Sequence, residues 1–262
     1  MTADREIHAE IEVPGTPEQV WEAIATGPGI TSWFMPAQFD ERAGAEIVFG
    51  HEEGFTSTGT VTAWEPPHRF VYEEEGVPGA EETQPIATEW LVEAKAGGTC
   101  VVRLVMSGFG PGDDFEKARE SFGSGWKTAL HDLRLYLTHF AGQAAAPITA
   151  GGVVRGHTRD EVWAQLTDAL GVSADSAPGD RVTASAGGSA TLSGTVELTE
   201  PGIVTLLLDE PAPGLALIGA GGPGDEVYTF VRAHLFGDGA ATIAARDEPV
   251  WQAWLGERLP VG

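Results

Sequence analysis

Residues 113–140 read DDFEKARESFGSGWKTALHDLRLYLTHF. In this stretch Phe115, Ala118, Phe122, Trp126, Ala129, Leu130, Leu133, Leu137 and Phe140 recur at steps of three and four. That spacing predicts one amphipathic helix of up to 28 residues, roughly 42 Å long at 1.5 Å per residue. Asp113 and Asp114 stand at its start, where the helix dipole favours negative charge. Gly123 and Gly125 cost about 1 kcal/mol each against alanine, so a bend or a close backbone approach is expected there.

Immediately upstream the pattern is strand. Glu46–Phe49, Gly59–Trp64, Arg69–Glu73, Thr88–Glu93 and Cys100–Met106 follow one another, with Pro66-Pro67 and Gly97-Gly98 as turn chemistry. Their consecutive order predicts an antiparallel meander. Ile7, Ala9, Ile11 and Val13 alternate with polar residues as a further strand. Thr16-Pro17-Glu18-Gln19 then carries the marks of a capped helix start, and Val20, Trp21 and Ile24 come after it at helical spacing. After Gly27-Pro28-Gly29 a short helical piece would carry Ile30, Trp33 and Phe34. The Glu- and Gly-rich stretch 74–85 is expected to be a long loop, with Glu73–Glu75 and Glu81-Glu82 solvated.

Gly142–Pro147 reads as a linker of small residues, and the chain beyond it repeats the opening. Thr158–Trp163 lies on Thr16–Trp21 with an offset of 142, while Gly194-Thr195-Val196 lies on Gly59-Thr60-Val61 with an offset of 135. Matching features in one order, with a gap between them, indicate duplication. The expected domains are therefore 1–143 and 147–262. In the leaner second copy only Pro249–Leu259, with Trp251, Trp254 and Leu255, could stand in for the long helix. Gly219–Gly224 leads into a strand pattern and lacks a following Lys-Ser/Thr, so a flexible turn is expected and not a phosphate loop.

Fifteen Lys+Arg against 39 Asp+Glu give a net charge of −24. That field repels phosphate backbones and anionic lipid, so no nucleic-acid partner is expected. No uninterrupted apolar run approaches the ~18 residues that span a bilayer, and Met1–Glu6 has no apolar leader core. The expectation is a cytoplasmic protein without membrane insertion. Cys100 is the single cysteine, which excludes an internal disulfide and a cysteine-based metal site, and a buried small hydrophobe is expected there. His131 and His139, eight residues apart, lie too far from each other to share a metal, so no metal and no cofactor is expected.

The ordered set Thr16–Ile24, Ile30–Phe34, Gly59–Val61, Pro66–Tyr72, Gly97–Thr99, Ser107–Phe109 and Gly125-Trp126 with Leu130, Leu133, Tyr136 and Leu137 resembles the START-like (SRPBCC) superfamily. Within it the match is to the branch named after the activator of heat-shock-protein ATPase, over about residues 6–140. The second half resembles it only at the helix entry and the central hairpin. The resemblance implies an α+β helix-grip fold, an antiparallel sheet curled around the long C-terminal helix, here duplicated in tandem. It also implies a cavity between sheet and helix, in a family whose members bind or transfer small hydrophobic molecules and include some cyclases; the preferred expectation is a lipid- or polyketide-like ligand bound there without catalysis. Alternatives are a cyclase or hydrolase in the same cavity and a chaperone-related module that docks a protein partner. A fused repeat is expected to be a monomer whose two halves pair within one chain.

Strand parity names the inward residues, because charged neighbours should point outward. Glu46 outward puts Ile47, Phe49 and His51 inward; Arg69 and Glu73 outward put Phe70 and Tyr72 inward. Glu89 and Glu93 outward put Trp90 and Val92 inward, and Arg103 outward puts Leu104 and Met106 inward. Phe122, Trp126 and Leu130 on the helix should face them, with Trp33 and Phe34 gating one mouth. The candidate ligand-binding set is therefore Trp33, Phe34, Phe49, His51, Phe70, Tyr72, Trp90, Leu104, Met106, Phe122, Trp126 and Leu130. In the enzyme alternative, His51 or Tyr72 would move the proton.

Overall fold

Thr16 starts the first helix as its pattern requires. Its hydroxyl accepts from Gln19 N at 3.4 Å, while Gln19 Oε1 accepts from Thr16 N at 2.9 Å. Thr158 and Glu161 repeat this reciprocal cap in the second half. The structure is a computed structural model. It describes residues 5–52, 55–74, 85–109, 114–173, 175–222 and 226–259, without the side chains of residues 51, 52, 55, 114, 116–118, 120 and 121. The chain divides into two compact units, Met1–Ala144 and Ala145–Gly262.

In the first unit β1 (Ile7–Pro14) leads to α1 (Pro17–Ala25) and α2 (Gly27–Thr31). The strands β2 (Ala37–Phe39), β3 (Glu46–Glu52), β4 (Phe55–Glu65), β5 (Arg69–Glu74), β6 (Ile86–Lys95) and β7 (Thr99–Ser107) come next, then α3 (Asp114–His139). The sheet order is β1-β7-β6-β5-β4-β3-β2, and every pairing is antiparallel. It is the helix-grip arrangement: a curled meander whose first strand closes beside the last, with the long helix on the inner face. Charge pairs mark the outer face and fix the register. Arg103 bridges Glu10 on β1 and Glu93 on β6, each at 3.0 Å, and Arg69 holds Glu89 at 2.6 Å. Exposed pairs contribute only about 0–1 kcal/mol each, so their information is positional.

The second unit repeats the plan with β8 (Ala146–Arg155), α4 (Arg159–Leu170), β9 (Arg181–Ser185), β10 (Thr191–Glu200), β11 (Ile203–Glu210), β12 (Gly214–Gly221), β13 (Glu226–Leu235) and α5 (Ala240–Arg258). Its sheet order is β8-β13-β12-β11-β10-β9. The equivalence extends to single backbone bonds. Val61 N donates to Ala45 O and Gly44 N to Val61 O; Val196 N donates to Asp180 O and Gly179 N to Val196 O, all at the same offset. Gly59 and Gly194 also share a cause. A Cβ on either would stand far inside contact distance of a carbonyl oxygen, that of Glu73 or of Leu207, so the neighbouring strand comes too close for any side chain. Register shifts occur near these glycines in both sheets, where the strands bend.

Several expectations are corrected. The expected linker ends early, because β8 already begins at Ala146; its Gly-rich strand gives no alternation to read. As an edge strand it has its outer donors satisfied by α5, with Thr149 N on Glu248 Oε2 at 3.0 Å and Gly151 N on Gln252 Oε1 at 2.9 Å. Gly219–Gly221 belongs to β12 and not to a turn, while residues 223–225 lie outside the described residues. The closing helix begins at Ala240, nine residues before Pro249, because its first half is alanine-rich and carries no apolar stripe. A methyl added to Gly123 or Gly125 would meet nothing within 4 Å, so close approach is not the reason for these glycines. Among the described residues no helix is long and apolar enough to cross a membrane.

Candidate functional site

The inner face of the first sheet is built by parity. Ile47, Phe49, Phe70, Tyr72, Trp90, Val92, Val102, Leu104 and Met106 are all buried. Against them α1 contributes Ile24 and α2 contributes Ile30. Thr26 joins these two helices, its hydroxyl donating to Glu22 O at 2.8 Å and accepting from Gly29 N at 3.0 Å. The C-terminal carbonyls of α1 are then satisfied by indoles. Trp33 Nε1 donates to Ala23 O at 2.9 Å and Trp64 Nε1 to Ala25 O at 3.1 Å. Trp33 is thus pinned and only 2% exposed. The expected gate loses that residue, and only Phe34, half-buried beside it, is without such a tether.

Ile24, Ile30, Trp33, Phe34, Phe49, Tyr72 and Trp90 line a hollow of about 10 Å³. That is room for about one water molecule. Among the described residues this hollow is small, and aromatic rings surround it. Phe34 lies 5.4 Å from Trp33 and 5.5 Å from Trp126, at 31° and 28°; Trp90 stands 6.2 Å from Trp33 and 5.5 Å from Trp126, at 81° and 86°. Trp126 Nε1 points at Met106 Sδ, 2.7 Å away.

The rest of the expected set distributes around this box. Phe70 stacks on Phe39 of β2 at 5.5 Å and touches Tyr72. Leu104 and Leu130 are buried in the core behind the rings. Phe122 pairs instead with Phe109 at 6.2 Å, nearer the start of α3, because helical spacing sets a face but not a position along the sheet. His51 lies near the end of β3, but its side chain lies outside the described residues.

Polar groups on the same inner face escape the sequence reading. Thr88 is fully buried on β6 opposite Tyr72. Glu74 comes two residues after Tyr72 and turns inward, where Ser57 of β4 donates to its carboxylate. Burial raises the Glu74 carboxyl above its usual value, and the Ser57 bond only partly offsets this. The expected solvated acidic loop is corrected at this residue; Glu73 is exposed, and Glu75, Glu81 and Glu82 lie outside the described residues. The Tyr72 phenol is pushed well above its ordinary range, first by burial and then by Glu74, against weaker help from Thr88 and Trp90. It stays neutral at physiological pH, so it can donate a hydrogen bond but not serve as a phenolate base. The parity rule places both Thr88 and Glu74 inside, from Trp90 and Tyr72 respectively.

Among the described residues no group of His, Cys, Asp and Glu is arranged to hold a metal. Cys100 is fully buried, its Sγ 3.4 Å from Gly15 O.

Residues 14–138 match the model of a family described as Activator of Hsp90 ATPase homolog 1-like protein. No curated protein matches the chain. Among solved structures, protein MLL2253 from Mesorhizobium loti is similar at 21% identity and a TM-score of 0.47, over 52% of this chain and 98% of its own. Two structures are similar over both halves. DynU16, a protein in the dynemicin biosynthetic locus, has 17% identity and a TM-score of 0.45, over 97% of each chain. The di-domain ARO/CYC BexL from the BE-7585A biosynthetic pathway has 14% identity and a TM-score of 0.47, over 98% of this chain and 99% of its own.

Proposed function

We propose, given that residues 14–138 match the model of the family described as Activator of Hsp90 ATPase homolog 1-like protein, that this domain binds a small hydrophobic ligand between its inner sheet face and α3 without turning it over. The observation that supports this is the box itself. Its walls are aromatic rings with a few buried polar groups beside them, the usual composition of a small-molecule site. A ligand enters only when a lining side chain moves aside. Breaking two aromatic contacts costs about 0.5–1.5 kcal/mol each. Burying roughly 300 Å² of ligand apolar surface supplies about 7 kcal/mol gross. Association costs reduce the remainder, so binding on the order of millimolar to micromolar is expected.

Native mass spectrometry of the purified protein, joined to a thermal-shift screen of lipids and aromatic compounds, tests the proposal. A retained ligand, or stabilisation that Trp90→Ala abolishes, is the expected result. No ligand and no stabilisation across all classes would contradict it. In the same preparation light scattering should give the mass of one chain.

Glu74 carries a second reading. A partly buried carboxyl of raised pKa beside a neutral phenol is an arrangement for proton transfer, and so for cyclase- or hydrolase-type chemistry. It predicts turnover of a bound ligand that Glu74→Gln abolishes while binding persists.

A further inference from the structure

Among the described residues three of the four sheet edges are covered. α3 packs against β1, and α5 bonds the outer donors of β8 through Glu248 and Gln252. β2 lies on β3, and its own edge is closed by α2, where Ala37 N donates to Thr31 Oγ1 at 3.0 Å. The fourth edge, β9, is different. It is the counterpart of β3, since Gly179 and Val196 are bonded as Gly44 and Val61 are, but the second sheet ends there. Val196 N donates to Asp180 O and Ala186 N to Ala190 O, so the even-numbered residues bond towards β10. By alternation the N–H and C=O groups of Arg181, Thr183 and Ser185 face off the sheet. In the first domain Gly50 N, the counterpart of Ser185 N, donates to Pro36 O at 2.8 Å; among the described residues nothing bonds these groups of β9.

Charge selects the occupant. Asp175 and Asp180 are exposed on the approach to β9, and Arg181, the one cation of the strand, is held by Asp209 at 2.8 Å. The second domain has no lysine, the residue that most often guards a sheet edge. A second copy of the chain would bring the same acidic groups and a further net charge of −24, which opposes self-pairing. We propose that β9 is a docking edge, and that it takes a lysine- or arginine-bearing extended segment of a partner protein as a seventh strand. The segment pairs antiparallel, in the place that β2 holds in the first domain. Main-chain bonds to Thr183 and Ser185 hold it, and the flanking aspartates select its charge. Docking there does not depend on a ligand in the first domain.

The test uses the full-length protein and the capped peptide acetyl-Lys-Val-Thr-Val-Lys-amide, read by amide hydrogen exchange and 1H–15N shifts. Without peptide the Thr183 and Ser185 amides should exchange at least about tenfold faster than those of Val182 and Ala184. Millimolar peptide should slow them about threefold or more, with the largest shifts on β9. Glutamate in place of both peptide lysines should weaken binding at least about tenfold. Proline in place of the peptide's threonine removes a ladder donor and should abolish binding. In the protein, Thr183→Pro removes the edge-facing donor without touching a bond to β10, and should abolish binding as well. If Thr183→Pro does not fold, the proline peptide puts the same question to the wild-type chain.

Unchanged exchange and shifts at Thr183 and Ser185 in millimolar peptide would overturn the docking edge. So would slow exchange of Thr183 in the free protein at every concentration, because the edge would then be covered already. Equal binding of the glutamate peptide would overturn the cationic partner, and equal binding of the proline peptide would overturn strand addition. Protection of Thr183 that grows with protein concentration alone would make a second copy the occupant and overturn the proposal in that way.

Discussion

Between Gln19 and Gly44 the first domain runs through α2, Trp33, Phe34 and β2. The corresponding stretch of the second, from Glu161 to Gly179, is seven residues shorter, and its described part holds only the longer α4 and a Gly171 cap with φ +74°. The frame around the two stretches is the same: reciprocal helix caps, a bent central hairpin with its crowded glycine, and matching backbone bonds at Val61 and Val196. The interiors differ. The first is closed by rings meeting rings. The second is packed with Leu, Val, Ile and Ala around Trp251 and Trp254. The second unit therefore keeps the same caps and hairpin around a largely aliphatic core, without an aromatic box.

The largest expected effect probes that contrast directly. Trp251 is 0% exposed, and Trp251→Ala should destabilise the second domain by about 3–5 kcal/mol. Phe34→Ala in the first should cost at most about half as much, because its ring is only partly buried. Hydrogen exchange of the strand amides in each domain separates the two effects, and equal losses would erase the distinction between the packed core and the aromatic box. Trp251 Nε1 has no hydrogen-bond partner, so Trp251→Phe should cost much less than Trp251→Ala.

The shared frame should respond in parallel. Gly59→Ala and Gly194→Ala each force a methyl against a carbonyl oxygen and should cost about 1–3 kcal/mol, by similar amounts in the two domains. Thr16→Ala and Thr158→Ala should cost about 1 kcal/mol each, again alike, by the same exchange measurement. A marked inequality at either pair would mean that one copy no longer depends on the common frame.

The smallest effect concerns pH and the first domain alone. Folding raises the Glu74 pKa, so the folded chain holds that proton more tightly than the unfolded one. The stabilisation is full below the unfolded carboxylate pKa and is lost as pH rises through the folded one. Glu74→Gln should remove that decline in a series of melting temperatures from about pH 4 to 8. An identical slope in wild type and variant would mean that the carboxyl is not desolvated.

The same physics decides which parts of the fold are legible in the sequence. Alternation in Arg69–Glu74 and Thr99–Ser107 predicts both strand and facing, because one face is buried and the other is ion-paired. β2 is three residues long and β8 is broken by Gly151-Gly152, so neither carries a period. The first half of α5 is rich in alanine, which favours helix but shows no face. At the site, parity identifies the rings and places Thr88 and Glu74 inside with them, but the sequence reading passes over both because polar side chains are expected outside. The small size of the hollow is not legible at all, since it depends on how the rings meet and not on which strand face each occupies.

Indole N–H resonances offer the sharpest test of ligand binding among the rings of the first domain. The chain has eight tryptophans, and a titration with p-cresol reports on each of them in a 1H–15N spectrum. Trp33, Trp90 and Trp126 should shift together with one affinity while Trp251 and Trp254 stay in place. Unmoved indoles in the first domain, or shifts at Trp251 and Trp254 instead, would contradict a ligand slot among the rings of the first domain.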